Sequence, residues 1–305
     1  MASSVTTSAQ WAQLLLPGAS SITSYYPYYQ NEWKSIFKIM PSIKAAEVDI
    51  EMGTVNGAGY FNEGSQMPMA SVGDQAYVTN TRIQNWGVGF TVTSIAIDDN
   101  LYQDEFPKGV VGIRENLNIL SEYNGIALFD NAFSSTNPQY VLGDGQPMCS
   151  FSHPISNGTV SNMINPAELN ETSLEDLVAL SQQFYDYSGL PRKIEAKRCL
   201  VGIQNQFIAT ALFGSTYRPE NTTNAVNPIT YGQYLSDGWV LSHYMANQGN
   251  WFILTDFEDG LVNYQRKTLQ ITLSVDQANQ NIGVYGSERY AFRCINFRSV
   301  LGSQG

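Results

Sequence analysis

Ala46-Glu47-Val48-Asp49-Ile50-Glu51-Met52 and Trp86-Gly87-Val88-Gly89-Phe90-Thr91-Val92 are the two runs whose reading decides the fold. Each alternates apolar residues with polar or small ones, the period of two that marks a half-buried strand. Between them lies a tip rich in Gly, Asn, Ser and Pro, from Val55 to Asp74. Taken as one hairpin, Ala45 to Asp98 is a long β-ribbon. Arms of about 15 residues at about 3.3 Å each reach on the order of 50 Å. A compact body of this length has a radius of gyration of only about 19 Å. An isolated two-stranded ribbon is marginal in water, so such an arm needs a surface to lie on. Another copy of the same chain is the economical candidate, which points to a building block before it points to an enzyme.

The 305 residues suffice for one large domain or two modest ones, and 43% hydrophobic residues suffice for a core. Only 14% are charged against a typical quarter. Much of the surface is therefore neutral, and the 18 Tyr and 14 Phe suit either protein interfaces or a β-rich core. A net charge of −11 and a pI near 4.6 argue against binding nucleic acid through its phosphates. Arg192, Lys193, Lys197 and Arg198 form the one basic cluster, read as a solvated face or a subunit contact. Three widely spaced cysteines, Cys149, Cys199 and Cys294, do not make a disulfide framework and fit a reducing compartment. No signal peptide is legible and no apolar run is long enough for a membrane span.

Residues 1–44 read as an extended arm carrying Tyr25, Tyr26, Pro27, Tyr28 and Tyr29. An aromatic cluster around a proline resists helix and suits either docking on a neighbouring surface or a local turn. Trp33, Ile36, Phe37 and Met40 recur at helical spacing. A helix of about Pro107 to Phe129 is expected from its acidic start, its proline in the first turn and the stripe Val110, Ile113, Leu117, Leu120 and Leu128. Gly109, Gly112 and Gly125 cost it about 1 kcal/mol each, so it should be a spine pressed on a sheet. A second helix starts near Thr172, with Thr172 and Glu175 as a capping box. Asn205 is placed as the cap of a third. Strands are expected at Cys199 to Ile203, at Trp251 to Leu254 and through Thr268 to Val300. Strand and helix mix without strict alternation, so the class is α+β.

Catalytic motifs are absent. Cys149 and His153, four apart, could form a nucleophile–base pair, although a turn residue before a proline is the commoner reason for such a histidine. Asp98, Asp99, Asp256, Glu258 and Asp259 could collect a hard cation, but adjacent loop acids are more often solvated. The reading commits to no catalytic residue, no metal and no cofactor.

The order of elements resembles the major capsid proteins of tailed bacteriophages, which share the Hong Kong 97-like fold. The segment Gly143-Asp144-Gly145-Gln146-Pro147-Met148-Cys149-Ser150-Phe151-Ser152-His153-Pro154 is similar to one in Mu-like major head subunits. So are Asn250 to Asp256 and Gly260-Leu261 with Arg266. The resemblance implies an N-terminal arm (1–44), an extended loop (45–97), a peripheral domain with the spine helix (98–166, rejoined by 263–305) and an axial domain (167–262). It implies a shell subunit, not an enzyme, assembling through hexamers and pentamers in the bacterial cytoplasm. The icosahedral shell would enclose double-stranded DNA without sequence-specific binding and without a membrane, and become the virion capsid. Implied partners are copies of itself, a separate scaffolding protein, a portal and decoration proteins. The alternatives are an encapsulin-like compartment with a protein cargo, and a cytosolic cysteine hydrolase using Cys149 and His153.

Two departures from that family are legible. No Lys or Arg occurs from Ala45 to Thr81, so a lysine crosslink from the loop has no donor. Residues 1–44 are too few for a long scaffolding segment, so the expectation is either a separate scaffold or a processed form of the chain. The expected subunit contacts are Tyr25, Tyr26, Tyr28 and Tyr29 on the arm, Glu47, Asp49 and Glu51 on the ribbon, Tyr60, Phe61 and Glu63 at its tip, and Arg192, Lys193, Lys197 and Arg198. Like charges side by side on one strand are unfavourable. The ribbon acids are therefore expected to meet a basic patch of another copy, around Arg192 to Arg198 or on Arg289, Arg293 and Arg298.

Overall fold

The computed structural model describes residues 31–55, 57–69, 73, 75–95, 102–217, 225–232, 234–276 and 280–305, with the side chains of 102–107 left aside. Tyr25, Tyr26, Tyr28, Tyr29, Asp98 and Asp99 lie outside the described residues. Two four-stranded sheets carry the molecule. The first has the order β1 (Lys38–Pro41), β10 (Leu261–Val275), β11 (Ile282–Cys294), β4 (Gln84–Val92). The second has the order β12 (Val300–Ser303), β9 (Trp251–Thr255), β7 (Ala196–Gly202), β8 (Trp239–Ser242). A separate two-stranded ribbon joins β2 (Ala46–Met52) to β3 (Gln75–Arg82), and a short hairpin joins β5 (His153–Ile155) to β6 (Gly158–Val160).

The spine α1 (Tyr102–Asp130) lies on the first sheet. Val110, Ile113 and Leu117 meet Val284 of β11, with Trp86, Val88 and Phe90 of β4 around them. Close approach explains two of the glycines. A Cβ on Gly109 would sit 2.6 Å from the Phe90 ring, and one on Gly286 would sit 2.3 Å from Ile113 Cγ2. Gly112 meets nothing within 4 Å, so it costs helix propensity with no packing return in this chain.

The second sheet holds the larger core. Trp251, Phe252 and Ile253 alternate into Cys199, Leu200 and Val201, and α2 (Glu171–Ser181) covers them with Leu174 and Leu177. Such a continuous apolar run is what a strand buried on both faces requires. The lobe is completed by α3 (Gln206–Gly214) and α4 (Pro228–Tyr231).

Several expectations are corrected. The second arm of the ribbon is β3, not Trp86 to Val92. That run, as β4, pairs antiparallel with β11 from Gln84↔Tyr290 to Val92↔Ile282. Its apolar face is claimed by the spine helix, which a free-standing arm could not offer. The ribbon arms are seven and eight residues long, about 25 Å. The long reach belongs to β10, whose 15 residues span about 50 Å. Trp33, Ile36 and Phe37 are buried as expected, but on a 3-10 turn (Glu32–Ser35) followed by β1. The capping box of α2 is Asn170 with Ser173, since Ser173 N–H donates to Asn170 Oδ1 at 2.8 Å and Asn170 N–H to Ser173 Oγ at 3.1 Å. Asn205 precedes α3, but its amide donates to Gly249 O (2.9 Å) rather than capping the helix.

Candidate assembly surface

The ribbon has two unlike faces, and their orientation is the reverse of the expected one. The polar face lies on the body. Tyr264 of β10 donates to Asp49 Oδ1 at 2.6 Å. Glu51 accepts from Arg298 Nη1 at 2.6 Å, with Arg298 almost wholly buried and Glu51 nearly so. Glu47 is held by Ser42 Oγ (2.6 Å) and Lys44 Nζ (2.8 Å). Burial pushes the Asp49 carboxyl above its ordinary range, opposed by the Tyr264 bond. The Lys44 and Ser42 bonds draw Glu47 below it.

On the tip side, the Thr54 N–H and hydroxyl both donate to Asp186 Oδ2, at 2.8 and 2.5 Å. Burial raises that carboxyl, yet the Thr54 bonds bring it net below its usual value. Ser188 Oγ donates to Thr54 O at 2.8 Å. From β3, Tyr77 donates to Pro154 O and meets Tyr187 edge-on at 5.4 Å. Burial raises the Tyr77 phenol to about 12, so it stays protonated and able to donate.

The apolar face points away from the body. Val48, Ile50 and Met52 are 54%, 53% and 55% exposed, and Val78, directly opposite Ile50 in the pairing, is 44% exposed. Beyond them the tip exposes Tyr60, Phe61 and Glu63, with Met67 and Met69. A row of this kind is costly in water, at about 1.5–3 kcal/mol per large apolar side chain when fully exposed. Contiguous apolar patches on a soluble surface mark contact sites.

Glu47, Asp49 and Glu51, expected to meet a basic patch of another copy, all face their own body here. Each acid has its partner in its own chain, and Arg298, named as part of that patch, is the cis partner of Glu51. In the basic cluster, Lys193 and Lys197 both hold Glu195 (2.8 and 3.0 Å) and draw its carboxyl down to about 2. Arg192 stands 3.9 Å from Asp186 and Arg198 3.6 Å from Asp237. Arg192, Lys193, Glu195 and Lys197 line a cleft of about 590 Å³ together with Val178, Ile194 and Tyr234. The sequence offered no sign of Asp186 or Tyr264 as ribbon anchors, and it offered Arg298 only as a partner from another copy, because each lies more than 130 positions away. The alternation in β2 did carry the fact that one face differs from the other.

Cys149 and His153 do not form a reacting pair. The His153 ring nitrogens lie 2.5 Å from Asp144 and 3.1 Å from Asn162, and the ring stacks on Phe297 at 4.0 Å. Cys149 is fully buried, which drives its thiol well above the ordinary range, opposite to what a thiolate nucleophile needs. Asp256 accepts from Glu195 N–H (2.8 Å), and Asp259 pairs with Lys38 (2.5 Å). Among the described residues no three His, Cys, Asp or Glu side chains gather as a metal site, and no helix is long and apolar enough to cross a membrane.

No family model and no curated protein matches the sequence. Solved structures do match. The capsid of an empty GTA particle is 11% identical over 92% of both chains, with a TM-score of 0.56. The capsid of the cyanophage P-SCSP1u is 12% identical over 92% of this chain and 90% of its own, at 0.54. The virus-like particle of Pyrococcus furiosus is 9% identical over 96% and 99%, at 0.53. Matched over more than nine-tenths of its length to these structures, the chain has the Hong Kong 97-like fold of phage capsid proteins.

Proposed function

We propose that the chain is a major capsid subunit that self-assembles through hexamers and pentamers into an icosahedral shell around double-stranded DNA. On this reading 1–44 is the arm, 45–97 the extended loop, 98–166 with 263–305 the peripheral domain, and 167–262 the axial domain. The strand β4 belongs to the peripheral sheet at the loop's return. Assembly would take place in the bacterial cytoplasm, with a separate scaffolding protein, a portal and decoration proteins as partners. The product would be the virion capsid. A net charge of −11 suits a wall that must not hold its genome by its phosphates.

One observation carries the reading. The ribbon is anchored to its body by polar bonds while Val48, Ile50, Met52 and Val78 face outward. An amphipathic strand buries its apolar face when it belongs to a finished monomer. This one buries the other face, which leaves the apolar row for a neighbouring copy. Many such moderate contacts, closed by symmetry, make a shell stronger than any one interface.

The double variant Val48→Asp/Ile50→Asp tests it. Subunits should stay folded by circular dichroism, because the anchors are untouched, while electron microscopy finds no shells where the parent chain gives them. Normal shells from the variant, or lone particles from the parent, would overturn the assignment. A shell with protein cargo would use the same surfaces. The ratio of absorbance at 260 and 280 nm in shells purified from an infected or lysogenic host separates the two contents.

A further inference from the structure

The stretch from Gly143 to Pro154 loops back on itself, so that Asp144 near its start meets His153 near its end. Both side chains are sealed from solvent, His153 at 0% and Asp144 at 2% exposed. The hydrogen bonds around them fix where the protons lie. The Asn162 amide donates to Met148 O, Val300 O and Phe297 O at 2.7, 2.9 and 3.1 Å, and its Oδ1 accepts from Ser150 N–H at 2.8 Å. Oδ1 is therefore the acceptor, and His153 Nε2, 3.1 Å from it, carries a proton. On the other side of the ring, Nδ1 lies 2.5 Å from Asp144 Oδ2, while Asp144 Oδ1 accepts from Gln146 N–H at 3.0 Å. Hydrogen bonds accepted by a carboxyl favour its ionised form, so Nδ1 donates as well. A histidine that donates from both nitrogens is an imidazolium.

The surroundings suit that charge. The ring lies flat on Phe297, 4.0 Å between centroids and 1° between planes, and an aromatic face attracts a cation. The same phenylalanine carries the Arg298 guanidinium at 4.3 Å, whose acid is Glu51. Two ion pairs thus meet at one ring and their charges cancel, the condition under which buried ions are tolerated. Arg293 stands behind the turn and donates from Nη2 to Val141 O at 2.6 Å. The other titratable groups close to the pair are Tyr77, Cys149 and Cys294, each raised by burial and so neutral.

The pair sits directly under the ribbon. Gly143 lies against its second strand, where a Cβ would come within 2.7 Å of Thr79 Oγ1 and 3.0 Å of Val78 O. Pro154, the residue after His153, accepts the Tyr77 hydroxyl at its carbonyl oxygen. Each member of the pair is one residue away from a contact with β3, and closing the pair sets the spacing of the two contacts. The Glu51–Arg298 bond holds β2 in the same way.

We infer that His153 is held as an imidazolium locked to Asp144, and that this buried pair is a positioning clamp for β3. The inference needs only the folded chain and does not rest on the shell assignment. The full chain, with its histidine rings labelled with nitrogen-15, has two histidines, His153 and His243, and His243→Gln identifies the signals of the first. At pH 8 both ring nitrogens of His153 should resonate as protonated nitrogens. In Asp144→Asn, which withdraws the counter-charge, one of them should move to the lone-pair position. By hydrogen–deuterium exchange, His153→Leu, which strands the Asp144 charge, should speed amide exchange in β3 by at least about tenfold and leave the spine from Ile113 to Ile126 within about twofold. A neutral His153 at pH 8, a ring still doubly protonated in Asp144→Asn, or exchange that rises equally in β3 and the spine would each overturn it. The ring signals of the unsubstituted pair decide the matter even where the leucine variant does not fold.

Discussion

Arg298 shows how much of the ribbon's placement hangs on one side chain. Its guanidinium lies on the Phe297 ring at 4.3 Å, donates from Nε to Tyr185 O at 2.8 Å and from Nη1 to Glu51 and Asn296. Removing one member of a buried pair strands the other, at a cost of about 3–5 kcal/mol. Arg298→Met should lower unfolding free energy in urea by about that much. Arg298→Met/Glu51→Leu should recover most of it, because no charge is then left unpaired. Glu288 gives a pH-dependent counterpart. Burial raises its carboxyl to about 7, and Oε1 has no hydrogen-bond partner among the described residues. A carboxyl whose folded value is raised binds more protons in the native state between its ordinary value, 4.5, and about 7. Its contribution is therefore fully present below pH 4.5 and is lost as pH rises through 7. Glu288→Gln should raise the thermal midpoint at pH 8 by a few degrees, on the order of 1 kcal/mol, and leave it nearly unchanged at pH 4.5. An equal shift at both values would reject the burial argument.

At the scale of elements, the spine on its sheet sets the tolerances. Gly286→Ala forces a methyl against Ile113 and Leu117, and overpacking of this kind costs about 1–3 kcal/mol. Gly112→Ala meets open space and should stabilise by up to about 1 kcal/mol. Denaturation midpoints of the two variants should move in opposite directions. The spine was legible because its stripe is long and periodic, and the strands at Cys199 and Trp251 because their apolar runs are unbroken. The ribbon's pairing was not legible. Gln75 to Arg82 is polar enough to read as part of a loop, while Trp86 to Val92 alternates more cleanly. A period of two marks a strand and one distinct face without naming the partner, and β11, almost 200 residues away, was the partner that won.

For the whole molecule, the three thiols report on the integrity of the larger core. All are buried, and burial raises Cys199 to about 12 and Cys294 to about 11. None should react with Ellman's reagent in the native protein within an hour, and all three should react in 6 M guanidinium chloride. A fast-reacting thiol in the native state would revive the hydrolase alternative that the His153 contacts argue against.

The sequence by itself determined the α+β class, the spine helix, the buried strands of the second sheet and the presence of an amphipathic ribbon. These are consequences of local periodicity, which a side chain carries with it wherever the chain goes. Only the tertiary structure decided which strand closes the ribbon and which of its faces looks outward. Glu51 meeting Arg298, and Asp49 meeting Tyr264, are pairings over 247 and 215 positions. Alternation fixes that two faces differ, but which one is buried depends on what the distant chain presents to it. Here it presented a guanidinium and a phenol, so the acids turned inward and the apolar row was left to face the solvent.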